Sequence, residues 1–163
     1  MNELQEMPAT AQGNIRAIRI FFGAIVVGAI IFSLIVLALG MMNKPVSPLK
    51  EYENIILGIA IALGVICYLA ARHGYNKGIA NAKDSLISLP DKLNQYRTTL
   101  IRYLALCEAP ALFGIILFFV TGNYLMFIIT ALMIAAMLTK TPTRQRVIDE
   151  LALDWQQQEN FDR

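Results

Sequence analysis

The chain has 163 residues, a net charge of +2, 56% apolar residues and only 16% charged ones, against roughly 25% charged for a soluble domain. So small a net charge does not suggest a nucleic-acid partner. One histidine and two cysteines exclude the clustered ligands of ordinary metal sites, and no cofactor is expected.

Apolar residues gather in four blocks, 20–39, 55–71, 103–120 and 124–139, each near the ~20 residues that cross a ~30 Å hydrocarbon core as a helix. Strict alternation over ~10 residues, the mark of a spanning barrel, is absent. The expected fold is all-α: one membrane domain of four transmembrane helices, arranged as two antiparallel hairpins with both termini cytoplasmic.

Residues 1–19 form the N-terminal cytoplasmic tail and carry Arg16 and Arg19. The following run exceeds the ~7–15 residues of a signal-peptide core, so 20–39 reads as a retained first span. Pro45 and Pro48 interrupt any helix in the connection to the second span, and Tyr52 marks the return to the interface. Small residues four apart, Ala24 with Gly28, Gly58 with Ala62, Ala60 with Gly64 and Gly74 with Gly78, suggest close packing of spans one and two or a dimer face. Cys67 and Cys107 sit inside spans and read as small apolar residues. His73, at the end of span two, reads as an interfacial polar residue.

Residues 72–102 form a cytoplasmic helical segment. Its first half lacks proline, so span two can continue as a helix. Ser88, Pro90 and Asp91 match a capping box with proline in the first turn, which starts one helix running from about Leu89 to Val120. The turn Thr121-Gly122-Asn123 makes spans three and four antiparallel neighbours; both its Gly and its Asn tolerate positive φ. Residues 141–158 read as an amphipathic helix with Val147, Ile148, Leu151, Ala152 and Trp155 on one side, suited to the cytoplasmic helix of Leu89–Arg102 or to lipid.

Orientation follows the basic residues. The first tail, the 72–102 segment and the C-terminal tail share one side, leaving only Lys44 and Lys50 of the 14 Lys and Arg residues on the other. Such a basic rim makes lipid headgroups the expected partners, beside a homo-oligomer or a larger membrane complex.

One residue stands apart. Glu108 is the only acidic residue within any apolar block, and an intramembrane carboxylate costs roughly 2.5–3.5 kcal/mol on insertion scales, which makes it a candidate site. Reflection about Gly122 sets Ala136 and Met137 level with it, with Thr139 and Lys140 a turn below; Tyr68 and Arg72 end at similar depth. An ion pair with Lys140 or Arg72 is expected, with Tyr68 or Thr139 hydrogen-bonding nearby. Pro110 withholds a donor from the carbonyl of Leu106, leaving an acceptor one turn from the carboxylate.

Glu108-Ala109-Pro110 followed by Gly114 resembles the ion-carrying helix of rotary ATPase proteolipid subunits. That resemblance implies a carboxylate that takes and releases a proton or sodium ion, although the glycine-repeat helix of that family is missing. More broadly, Tyr96-Arg97, Ile101-Arg102, Leu106-Cys107-Glu108, Ala111-Leu112-Phe113, Thr121-Gly122-Asn123 and Thr141-Pro142-Thr143 are similar to small bacterial four-span membrane proteins without a known activity. This second resemblance covers roughly 90–150 and implies a bacterial inner membrane. HExxH, GxxxxGK[ST] and GxSxG are absent. The expected function is a non-enzymatic scaffold or accessory subunit; the alternative is a proton or cation transport element built on Glu108.

Overall fold

The computed structural model describes residues 11–42, 50–83, 88–155 and 157–158. Among them the chain is all-helical: α1 (Ala11–Met42), a 3-10 turn at Lys50–Tyr52, α2 (Glu53–Ala82), α3 (Leu89–Thr121), α4 (Tyr124–Leu138) and α5 (Arg144–Leu151). Three helices, α1 from Arg16 onward, α2 and α3, are long and apolar enough to cross a membrane; α4 is apolar but shorter. Its 15 residues rise about 22 Å.

Local rules account for the ends. α2 runs well past Arg72, as a proline-free segment permits. α3 begins at Ser88, whose side chain accepts from the amide of Asp91, with proline in the first turn. It ends at Gly122 in the left-handed region, φ 71°, which costs glycine least. Asn123 keeps negative φ and instead caps α4 by accepting from the amide of Leu125 at 2.8 Å. Glycine alone makes the reversal.

α3 is the hub and packs against α1, α2 and α4. Its partnership with α4 is close. Thr130 donates to the carbonyl of Ala111 at 2.8 Å, fully buried, and a Cβ on Gly114 would lie 2.7 Å from Thr130 Oγ1 and 2.9 Å from the Met126 carbonyl. Tyr103 donates to the carbonyl of Ala136 at 3.0 Å, so the last turn of α4 stands level with Tyr103. Two buried clusters fill the bundle. One, at the α5 end, joins Ile18 and Phe22 of α1 with Tyr75, Tyr96, Leu100, Met137 and Leu151; the other joins Val36, Ala60, Phe118, Met126 and Ile129.

The expected first hairpin is corrected in one respect. α1 and α2 run oppositely, but neither takes the other as its main neighbour; each packs chiefly on α3 and, less, on α4. Accordingly Ala24, Gly28, Gly58 and Ala62 are exposed, and a Cβ on Gly28 or Gly58 would meet nothing within 4 Å. Ala60 and Gly64 are buried, with Gly64 facing Met133 and Ile129 of α4.

α5 is also shorter than expected. Ala152 takes the left-handed conformation, φ 48°, and ends the helix. Val147, Ile148 and Leu151 are buried as the periodicity required, but Ala152 is exposed, Trp155 is 81% exposed, and Leu153 is buried in its stead. The helix docks on the protein rather than displaying its apolar face.

Candidate functional site

Glu108 lies half-buried on α3, one residue from buried Cys107 and two from buried Pro110. Among the described residues it has neither a hydrogen-bond nor an ion-pair partner, so the ion pair expected with Lys140 or Arg72 is not formed. Thr139 donates to Ala136 in its own helix at 2.7 Å. Tyr68 is half-buried and Arg72 exposed. Lys140 turns elsewhere: its Nζ stands 4.1 Å from the ring centroid of Tyr75 on α2, a favourable cation–π geometry.

The polar groups that do converge lie beside Tyr75. Its hydroxyl donates to Glu150 Oε2 at 2.5 Å across 75 residues of sequence. Glu150 Oε1 also pairs with Arg146 Nε at 3.3 Å. Arg146 in turn donates to the carbonyl of Thr139 through Nη1, closing the junction between α4 and α5. At the same end, Arg19 Nε of α1 donates to the carbonyl of Pro142 at 3.0 Å. The Tyr75 ring meets Tyr103 edge-on at 5.4 Å. Apart from the Arg146–Glu150 pair, which lies within α5, these contacts tie one segment to another, and together they form a clasp joining the five helices at this end.

Electrostatics agree with the packing. Burial, then the neighbouring Tyr96 and the Glu150 carboxylate, push the Tyr75 phenol far above its ordinary value. Burial, followed by the charge of Glu150, pushes Tyr96 up to about 12. Lys140 is held below its ordinary value by burial; Glu150 opposes that, and Arg146 and Arg72 reinforce it. The Tyr96 hydroxyl is buried with no hydrogen-bond partner among the described residues, although Tyr75 is one of its electrostatic neighbours.

Sequence reasoning named Lys140 but missed Tyr75, Arg146 and Glu150. The available signal was the i, i+4 spacing of Arg146 and Glu150 at the edge of the apolar face of α5; the Tyr75 contact depends on where α5 docks. Among the described residues no group of three or more His, Cys, Asp or Glu is placed to hold a metal. No family model, no curated protein and no solved structure matches the chain.

Proposed function

We propose that this is a non-enzymatic integral membrane protein of a bacterial inner membrane, crossing four times with both ends in the cytoplasm. On this reading it is a small scaffold or accessory subunit of a membrane assembly. The observation that carries the reading is the clasp: the convergent charged and phenolic side chains are engaged with one another and with backbone carbonyls, holding helices together. The outward faces of the helices support membrane placement, since Ile20, Ile31, Leu34, Ile59, Ile66, Ile116 and Leu132 are all more than half exposed, as lipid-facing residues would be.

The short α4 fits the four-span reading because its last turn stands level with Tyr103, where the third apolar block begins. Tyr124 and Lys140 flank it as interfacial residues. Arg19 meeting Pro142 and Tyr75 meeting Glu150 set the basic segments at one end of the bundle, which supports a common cytoplasmic side. Affinity purification in mild detergent tests the role: a stoichiometric membrane-protein partner, or a defined homo-oligomer, is expected. A monodisperse monomer without any partner would count against it.

One observation favours a second reading, a proton or cation transport element. Glu108 is half-buried and unpartnered among the described residues, one turn from a carbonyl that Pro110 leaves without its helical donor. On that reading Glu108→Gln abolishes proton or cation flux in proteoliposomes while leaving thermal stability in detergent unchanged. Absence of any flux in the wild type removes it.

A further inference from the structure

A cavity of about 380 Å³ lies between α2 and α3, near the ends of the second and third apolar blocks. Tyr75 packs on Tyr103, and Gly78 packs on Thr99 so tightly that a Cβ would stand 2.3 Å from its hydroxyl. These two pairs fix an antiparallel register. In it, Lys77 and Arg102 come within about 2 Å of the same level along the axis. Ala71 and Leu106 lie on the side of the apolar blocks, and Asn81 and Gln95 on the opposite side, so the cavity extends about 15 Å along α2. It is graded: apolar, then doubly cationic, then amide-lined.

No acidic residue lines it, and among the described residues neither Lys77 nor Arg102 has a hydrogen-bond or ion-pair partner. Two cations, one from each helix and both reaching solvent, repel each other at this level of the cavity and are drawn to an anion that lies between them. The grading matches a phospholipid: acyl chain against Ala71 and Leu106, phosphate between the cations, and polar headgroup among the amides. Resting on the membrane placement proposed above, we infer that this cavity binds the phosphate of an anionic phospholipid, with Lys77 and Arg102 as its ligands. Basic pockets between membrane helices on the cytoplasmic side are suited to that chemistry.

Gly74 supplies an independent handle. It lines the cavity, and a Cβ there would meet nothing within 4 Å, so Gly74→Leu starts its side chain into open space and leaves both charges in place; an unchanged melting temperature checks that the packing is kept.

The test is native mass spectrometry of the full chain in mild detergent, titrated separately with phosphatidylglycerol, phosphatidylethanolamine and inorganic phosphate. Alkaline carbonate extraction of the source membranes checks placement on its own, so that loss of the membrane reading is not mistaken for loss of the site. Wild type is expected to retain phosphatidylglycerol in preference to phosphatidylethanolamine. Lys77→Gln with Arg102→Gln lowers that affinity roughly 30-fold, about fivefold per cation. Gly74→Leu lowers it also, and Arg16→Gln with Arg97→Gln, which removes as much charge outside the cavity, does not. Equal loss in both double variants, undiminished binding in Gly74→Leu, or displacement of the lipid by inorganic phosphate would overturn the inference.

Discussion

Removing the Glu150 side chain is the most informative perturbation of the clasp. Tyr75 is 3% exposed, and its hydroxyl is hydrogen-bonded to Glu150. Glu150→Ala leaves that hydroxyl buried and unpaired, at about 1–3 kcal/mol. It also deletes the pair with Arg146, whose side chain is 34% exposed, for a further ~0.3–0.5 kcal/mol. The total is about 2–3 kcal/mol, or roughly 5–10 °C for a chain of this size. Tyr75→Phe removes the donor instead and leaves Glu150 paired with Arg146, so it costs only about 1 kcal/mol. Once the hydroxyl is gone, Glu150→Ala adds little beyond the Arg146 pair. The double variant therefore falls well short of the sum, with a coupling of about 1.5–2 kcal/mol. Thermal unfolding of the four proteins in one detergent measures this. Additive single effects, or a Glu150→Ala variant within about 0.5 kcal/mol of wild type, would refute the clasp.

Two further outcomes follow from the same geometry. Gly78→Ala drives a Cβ into Thr99 and destabilises by about 1–3 kcal/mol; a Thr99→Ala background removes the two nearest atoms but leaves the Thr99 Cβ at 3.0 Å, so the cost falls without vanishing, as paired melting curves would show. The raised phenols of Tyr75 and Tyr96 make stability pH-dependent on the alkaline side. A folded pKa above the unfolded value of 10 means that the contribution is complete below pH 10 and is lost as pH rises towards about 12 for Tyr96. Lys140, lowered, acts oppositely and gains as pH approaches its ordinary value from below. Melting temperatures between pH 8 and 11 should fall above about 10, and Tyr75→Phe with Tyr96→Phe should flatten that fall.

What could be read from the sequence was what local physics encodes. The Ser88 cap, the Gly122 reversal and the unbroken course of α3 past Pro110 each follow from a few neighbouring residues. The partners of α1 did not, because a helix that is apolar all round carries no mark distinguishing an outward side from a helix-facing one. Spacing of small residues was an ambiguous guide: Ala60 and Gly64 are buried as expected, whereas Ala24 and Gly28 are not. The end of α5 was invisible because alanine rarely adopts positive φ, yet Ala152 does. Glu108 stood out by its rarity, but its level along α3 did not determine its neighbours. Lys140 was placed at a plausible height and then turned towards Tyr75. That choice depends on α5 bringing Glu150 to the same end of α2, a contact no local pattern announces.

The most direct test of the account is single-cysteine labelling in sealed inner-membrane vesicles, with Cys67 and Cys107 replaced and probes introduced in turn at Asn94, Asn123 and Gln145. These sites lie before the third apolar block, in the α3–α4 turn and on α5. Four spans with both ends cytoplasmic predict that a membrane-impermeant maleimide reaches Asn123→Cys only from the periplasmic side, and Asn94→Cys and Gln145→Cys only from the cytoplasmic side. Labelling of Asn123→Cys and Gln145→Cys from the same side would show that the 15-residue α4 does not cross, and would contradict it.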